Sequence, residues 1–226
     1  MNQKTVPAGI VGGKFSRNGI ALPFPGNTVL CHINGTPLYR RLRQFYLLMK
    51  ESPLNGELYT LLPTESYHIT LFDGVCRKKY GTLYWPVSFY KGGTIDDCTE
   101  YCREKLISSG IISPEKSFTI SGIKDSMNTI ALTVEPEVWC AGNLRKFRDR
   151  LAEIMEIRRT NHDSYTFHIT LAYFLRYPDE KEMQHIRNLL LSFTGNLSEQ
   201  EKSLKLDDAE FCRFCDMTEF TTVLRF

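Results

Sequence analysis

The sequence predicts an internally duplicated α+β protein, because a unit of strand, helix and strand occurs twice along the chain. The closing strand of each unit contains His-Ile-Thr, in the stretches SYHITLFDG and TFHITLAYF. The opening strand of each unit begins with Asn-Thr, which precedes His68 by 41 residues and His168 by 40. Self-similarity at matched spacing indicates a duplication, and it is stronger support for a fold than either short motif alone.

The duplication sets the expected domain organisation. A chain of 226 residues fits one large domain or two intimately packed lobes. We therefore predict a single domain over 1–226, with pseudo-repeat lobes at about 27–123 and 128–226.

The opening strands and the first helix of each unit follow from apolar patterning. NTVLCHI and NTIALTV are strand-like, and helices are predicted over 37–50 and about 138–157. Apolar residues recur there at three- and four-residue steps: Leu38, Leu42, Phe45, Leu48 and Met49 in the first helix, and Leu144, Phe147, Leu151 and Ile154 in the second. Pro37 suits a first helical turn, where its missing N–H is not needed.

The remaining elements follow the same rules. A second helix is predicted after each His-Ile-Thr strand, over 96–108 and 179–193, and further strands over 117–123, 204–214 and 218–226. The first unit also carries an aromatic insertion at 74–93, which includes Tyr84 and Trp85. A surface hairpin that packs its rings on the body of the fold is the favoured interpretation. The alternative is a flap over a site where bases stack, which makes Tyr84 and Trp85 candidates for substrate binding.

Strand geometry gives the His-Ile-Thr motif two different faces. Successive side chains alternate, so His68, Thr70 and Phe72 are expected on the face opposite Tyr67, Ile69 and Leu71. In the second motif, His168, Thr170 and Ala172 are expected to share a face. Each motif then buries large apolar residues and presents an imidazole beside a hydroxyl. If the units pack about a pseudo-twofold axis, the two pairs converge on one groove.

Two imidazoles in one groove are suited to acid–base catalysis. A neutral His68 or His168 takes a proton from water, and the other ring, when protonated, gives one to a departing alkoxide. The hydroxyls of Thr70 and Thr170 can donate to nonbridging phosphoryl oxygens. One isolated motif would be interpreted as a core histidine; two copies in matched contexts favour a catalytic pair.

Three other residues are weaker candidates for substrate binding. Asn27 opens the first unit and is placed to pin a loop at the groove, although strand-entry turns favour asparagine anyway. His162 lies just before the second motif, where either the groove rim or an ordinary surface loop is expected. Tyr173 follows His168 by five residues, so alternation places it on the core side unless a bulge intervenes.

Composition and the remaining motifs exclude several classes of protein. With 28 Lys and Arg against 26 Asp and Glu, no basic run demands a nucleic-acid partner. Neither His-Ile-Thr motif has further ligands at metal spacing, so no metal or cofactor is expected. GGKFS lacks the first glycine and the hydroxyl residue of a phosphate loop, and G-x-S-x-G is absent. The seven cysteines suggest reduced thiols, and a cytoplasmic protein without membrane segments is the default.

His68-Ile69-Thr70 and His168-Ile169-Thr170 resemble the paired HxT signatures of the two-histidine (2H) phosphoesterase superfamily. The resemblance implies a bilobal α+β fold, with two mostly antiparallel sheets and outer helices around a central groove. The surrounding sequence, GGKFSRNGIALPFPGNTV and NHDSYTFHITLAY, is most similar to an uncharacterised subgroup, which supplies no substrate. Members of the superfamily act on 2′,3′-cyclic phosphates at RNA ends and on 2′–5′ linkages.

We therefore expect a metal-independent, monomeric phosphodiesterase with no obligate protein partner, acting on a nucleotide or RNA-terminal phosphodiester. His68 and His168 are its predicted catalytic residues, and Thr70 and Thr170 its phosphate-binding residues. A binding module for RNA ends or cyclic nucleotides, and an RNA-end ligase or transferase, remain the alternatives.

Overall fold

The structure is a computed structural model that describes residues 6–76, 85–89 and 93–226. Its helices are α1 (Ala8–Val11), α2 (Pro37–Lys50), α3 (Ile95–Ser109), α4 (Val138–Met155), α5 (Glu180–Gly195) and α6 (Glu199–Lys202). Its strands are β1 (Gly26–His32), β2 (Tyr59–Leu61), β3 (His68–Cys76), β4 (Lys116–Ile123), β5 (Thr129–Pro136), β6 (His168–Phe174), β7 (Ser203–Leu206), β8 (Glu210–Phe214) and β9 (Thr221–Arg225).

The strands form two sheets, as the fold prediction requires. The first sheet has the order β3-β1-β8-β9, and the second has the order β2-β6-β5-β4-β7. Neighbouring strands are antiparallel throughout both sheets. The predicted α+β fold with two antiparallel sheets is therefore confirmed.

The two sheets do not coincide with the predicted lobes. Strands β2 and β4 fall within 27–123 but belong to the second sheet, whereas β8 and β9 fall within 128–226 and complete the first. The strand predicted over 204–214 is in fact two strands: β7 pairs with β4, and β8 pairs with β1. The apolar pattern that predicts a strand does not specify its partner, and β1 has a free edge that β8 occupies. The predicted lobes at 27–123 and 128–226 therefore do not correspond one to one to the two sheets.

The helix predictions are close to the observed helices, and local chemistry explains where they begin and end. α2 begins where the Thr36 hydroxyl accepts a hydrogen bond from the Tyr39 amide, and its expected apolar face is buried except for Leu48, which is 54% exposed. α4 ends two residues earlier than predicted, because Glu156 adopts a left-handed conformation with φ of 56°. The Glu156 carboxylate also forms a salt bridge with Lys105 of α3.

The architecture brings the two His-Ile-Thr strands together. β3 is an edge strand of the first sheet, β6 lies inside the second, and the two strands contact each other. Helix α3 packs on β1 and β3, and α4 contacts strands of both sheets. Among the described residues, no helix is both long and apolar enough to cross a bilayer.

Candidate active site

Both His-Ile-Thr strands carry a β-bulge directly after the threonine. In β3 the pairing with β1 skips Leu71, and in β6 the pairing with β5 skips Leu171. An extra residue on one strand reverses the face that the following side chains occupy. The first three residues of each motif therefore alternate as predicted, and the later ones do not.

The bulges correct three expectations about faces. Phe72 and Ala172 are buried in the core instead of sharing a face with the histidines. Asp73 and Tyr173 take the groove side in their place, at equivalent positions of the two repeats. Alternation placed Tyr173 on the core side unless a bulge intervened, and the bulge at Leu171 moves it to the groove side.

One groove of about 670 Å³ receives both motifs. Its lining includes His68 and Thr70 from the first sheet, and His168 and Thr170 from the second. All four side chains are partly exposed. Pockets for small ligands occupy about 300–1,000 Å³, so the groove has room for a nucleotide.

The same backbone contact orients both imidazoles. Nδ1 of His68 lies 2.7 Å from the carbonyl oxygen of Ser66, and Nδ1 of His168 lies 2.9 Å from that of Thr166. A carbonyl oxygen can only accept, so Nδ1 carries the hydrogen in each ring. Nε2 is then the atom of each ring that exchanges a proton with a ligand.

The groove keeps both imidazoles neutral in the free protein at neutral pH. The pKa of His68 is lowered to about 4, chiefly by burial and also by the neighbouring His32 and His168, whereas the hydrogen bond to the Ser66 carbonyl opposes the shift. Burial also lowers the pKa of His168, and the positive charge of Lys124 adds to this effect. Each ring is therefore harder to protonate in the free protein than an exposed histidine.

The surroundings of His68 are aromatic and partly charged. The ring of Phe220 contacts it edge-on, with 4.3 Å between ring centroids. On the neighbouring strand β1, His32 pairs with His68 in register, with 6.4 Å between ring centroids. Nδ1 of His32 lies 3.2 Å from Oε1 of the buried Glu210. His32 thus lies directly beside the site.

The two threonines have different neighbours. Thr70 is a hydrogen-bonding partner of the Tyr165 hydroxyl, and burial raises the pKa of that phenol well above its usual range. The guanidinium of Arg148 lies over the Tyr165 ring at 4.4 Å and donates to the carbonyl oxygen of Leu71. These contacts connect Thr70 and the backbone of the following residue to Tyr165 and Arg148.

Lys14 is a groove residue that the sequence pattern did not reveal. Its Nζ lies 3.1 Å from the Tyr173 hydroxyl, 5.0 Å from the centre of the Tyr173 ring and 5.3 Å from that of Phe24. Its charge contributes to the lowered pKa of His68 and of His168. GGKFS, the stretch that contains Lys14, does not match the pattern of a phosphate loop, so it did not indicate this position.

Asn27 lines the groove, but its amide is used inside the fold. Its Nδ2 donates to the Thr99 hydroxyl at 3.0 Å, and its Oδ1 accepts from the Val75 amide at 2.8 Å. Gly74 packs so closely that a Cβ there would lie 2.1 Å from Oδ1 of Asn27. Asn27 thus ties β1 to α3 and β3, and its substrate contact stays a prediction.

His162 and Trp85 are not brought to the groove. His162 is buried, its Nε2 lies 2.9 Å from Oδ1 of Asp149, and its ring contacts Phe72. Trp85 is buried in the core and stacks on Phe89, with 5.8 Å between ring centroids. The substrate-binding predictions for both are corrected, because each side chain is used in packing. Tyr84 lies outside the described residues.

Two groups of side chains in the described part of the chain have the spacing of metal ligands. The first contains His32, Glu210 and Cys212, but Arg225 also pairs with Glu210, and burial raises the pKa of the Cys212 thiol to about 12. The second contains Asp149, His162 and Asp163, whose carboxylates are paired with arginines of the surface. Neither donor set fits a cation well, because opposing positive charges already occupy its carboxylates.

Comparison with known proteins is consistent with this geometry. Residues 14–129 match the family model 2H-phosphodiest, a domain of unknown function (DUF1868). The matched stretch starts at Lys14 and contains the first His-Ile-Thr motif; the second lies beyond it. No protein with curated annotation matches the chain.

Solved structures share the fold. The crystal structure of the conserved protein of unknown function ATU0111 from Agrobacterium tumefaciens has a TM-score of 0.87 at 24% identity, covering 99% of this chain and 94% of its own. A crystal structure of a phosphoesterase has a TM-score of 0.50 at 12% identity, covering 90% of this chain and 98% of its own. The family model covers slightly more than half of the chain and includes the first motif of the groove, so the chain belongs to the 2H-phosphodiesterase family.

Proposed function

We propose that this protein is a metal-independent phosphodiesterase that hydrolyses a nucleotide or RNA-terminal phosphodiester, with a 2′,3′-cyclic phosphate or a 2′–5′ linkage as the bond cleaved. The observation that carries the proposal is the presence in one groove of two imidazoles that are held by the same backbone contact. Each presents Nε2 as the exchanging atom, and each has a threonine hydroxyl beside it.

The chemistry requires two proton transfers. Nε2 of one imidazole takes a proton from water as the water oxygen forms a bond to phosphorus. Nε2 of the other imidazole, protonated beforehand, gives its proton to the ribose oxygen as the phosphorus–oxygen bond breaks. The hydroxyls of Thr70 and Thr170 donate to the nonbridging oxygens, where negative charge accumulates. The protons on the two rings then exchange with solvent, which restores the starting state.

Aromatic side chains in the groove support a nucleotide as the substrate class. Phe24, Phe214, Phe220 and Tyr173 all line it. Stacking of a base on an aromatic ring contributes about 1–3 kcal/mol and tolerates any base. The groove therefore offers a surface for a base beside the catalytic pair.

A substrate screen tests the proposal. Wild type and the His68→Ala/His168→Ala double variant are assayed with 2′,3′-cyclic nucleotides, 2′–5′-linked dinucleotides and RNA with a cyclic terminal phosphate, with and without EDTA. We expect turnover by wild type that survives EDTA and is absent from the double variant. Binding without turnover across the panel would favour a binding module, and a joined product under substrate excess would favour a ligase or transferase.

The pH dependence gives a second signature. Catalysis requires one proton on the imidazole pair, and both pKa values are lowered in the free protein. The singly protonated form therefore peaks below pH 6.5, the ordinary pKa of histidine, and kcat/KM is expected to fall as the pH rises above that. A bound phosphodiester anion raises both pKa values, so the profile of kcat should be displaced to higher pH. A pH-independent kcat/KM between pH 5 and 8 would contradict acid–base catalysis by this pair.

A further inference from the structure

The segment that carries Lys14 is fixed against the groove at several points. The Ala8 amide donates to Oδ1 of Asn128 at 2.7 Å, which ties this segment to the entry of β5. Gly9 lies so close to Tyr173 that a Cβ there would be 2.9 Å from the ring. The Lys14 amide donates to the Gly9 carbonyl at 2.9 Å, and the neighbouring Phe15 is buried. The Lys14 backbone is therefore well placed before any ligand binds.

The Lys14 side chain also has defined contacts in the groove. Its ammonium group lies near the faces of two aromatic rings, Phe24 and Tyr173, and hydrogen-bonds to the Tyr173 hydroxyl. A lysine ammonium has three donors, so two of them remain for other acceptors. Across the described residues no carboxylate forms a salt bridge with it.

Among the described residues, Lys14, Arg159 and Asp73 are the lysine, arginine and carboxylate side chains that line the groove. The guanidinium of Arg159 donates to the backbone carbonyls of Asp73 and Gly74, at 3.4 Å and 2.6 Å. The carboxylate of Asp73 also lines the groove. Asp73 lies on β3, whereas Tyr173 lies on β6. Lys14 is close enough to both His68 and His168 for its charge to act on each.

We propose that Lys14 binds the phosphoryl group held between the two imidazoles, and that Tyr173 is the positioning residue that aims its ammonium group. The proposal rests on the proposed function and adds a cationic phosphate ligand to it. In this arrangement the hydroxyls of Thr70 and Thr170 donate to the nonbridging oxygens, and Lys14 supplies the positive charge that neutral imidazoles and hydroxyls lack. Substrates with an anionic phosphodiester are then favoured over neutral phosphotriesters or carboxylic esters.

Binding of inorganic phosphate tests Lys14 without requiring turnover. The full chain is titrated with phosphate at pH 7 and low ionic strength by calorimetry, while NMR follows the imidazole signals of His68 and His168. We expect Lys14→Met and Lys14→Gln to weaken phosphate binding about tenfold to hundredfold, the range for loss of a charge-assisted hydrogen bond. Lys14→Arg should restore most of the affinity, because the charge is kept. Lys146→Met, at an exposed site on α4, is the matched control and should bind like wild type.

Tyr173→Phe separates positioning from packing. The variant keeps the ring that contacts Gly9 and Phe15 but removes the hydroxyl that holds the ammonium group. We expect a loss of affinity of about threefold with an unchanged melting temperature, and no additional loss when it is combined with Lys14→Met. If Tyr173 served packing alone, Tyr173→Phe would weaken phosphate binding by the same factor in Lys14→Met as in wild type.

The outcomes separate this inference from the proposed function. Wild-type phosphate affinity in folded Lys14→Met and Lys14→Gln would overturn the role of Lys14, whatever the turnover of the protein. Full turnover in the double histidine variant would overturn the proposed phosphodiesterase mechanism, while a loss of phosphate affinity in Lys14→Met would still support Lys14 as the anion ligand. Failure of Lys14→Arg to bind better than Lys14→Met would also count against the proposal, since charge would not be the cause.

Discussion

The two His-Ile-Thr strands, β3 and β6, are alike in what orients the imidazole and unlike in what surrounds it. Both have the bulge after threonine, and both hold Nδ1 with the backbone carbonyl two residues earlier. Five residues after the histidine, however, β3 has Asp73 where β6 has Tyr173. On the neighbouring strand, His32 pairs with His68, whereas the uncharged Thr133 pairs with His168.

The comparison shows which parts of the site the repeat determines. The repeat determines the backbone geometry, because the motif, its bulge and its carbonyl contact recur together in both strands. Side chains outside the motif then make the two copies electrostatically different. Strand β3 carries the carboxylate of Asp73, whereas the Tyr173 hydroxyl on β6 accepts a hydrogen bond from Lys14. Equal orientation and unequal charge are what a pair of one acid and one base requires.

The largest effect is expected at the histidines themselves. His68→Ala and His168→Ala should each lower kcat by about 10²–10⁴-fold, the contribution typical of a general acid or base. The double variant should be little worse than either single variant, since the two rings act as one unit. His185→Ala, at an exposed site on α5, is the control. Steady-state kinetics with a cyclic substrate measures all four, and wild-type turnover in one single variant would show that only one repeat is catalytic.

A smaller effect is expected at the threonines. Thr70→Ala and Thr170→Ala should each lower kcat/KM by about ten- to hundredfold, because each removes a donor to an anionic oxygen. Thr→Ser at either position keeps the hydroxyl and should recover most of the rate. Tyr165→Phe removes a hydrogen-bonding partner of Thr70 but leaves Thr170 unchanged. It should lower kcat/KM by itself, and Thr170→Ala should lower kcat/KM by the same factor in Tyr165→Phe as in wild type. Equal rates for the Ala and Ser variants would exclude a role for the hydroxyls.

The smallest effect concerns the charges that distinguish the two repeats. His32 lowers the pKa of His68, and Asp73 raises that of His168. His32→Gln should therefore raise the pKa of His68, and Asp73→Asn should lower the pKa of His168 further. NMR titration of the two imidazoles in the free protein measures both changes. If each substitution moved the two histidines equally, the repeats would not be electrostatically distinct.

The sequence was sufficient to predict the duplicated motif, the α+β fold and the groove face of the first three residues of each motif. These features depend on local patterning, which alternation and periodicity describe well. The sides taken by Phe72 and Tyr173 were not predictable in the same way, because a bulge depends on the register with the partner strand. Of the substrate-binding candidates, His162 and Trp85 turned out to be buried, since a polar or aromatic residue near a motif also has uses in packing.

Lys14 was the most informative omission. It lies far from both motifs in sequence, and only the tertiary contact between its segment and Tyr173 brings it to the groove. Single residues recruited in this way have no local pattern of their own. The division into sheets was hidden for a related reason, because strand pairing between distant segments leaves no periodic signal.

The exchange of strands between the sequence halves also constrains how the protein is made. Strand β1 emerges early from the ribosome, but its partner β8 is synthesised only after the whole second His-Ile-Thr unit. A nascent chain therefore contains both His-Ile-Thr motifs before the first sheet has all its strands. Phe220, which contacts the His68 ring, arrives in the same late segment. A chain that ended before residue 210 would contain both His-Ile-Thr motifs but would lack strand β8 and Phe220.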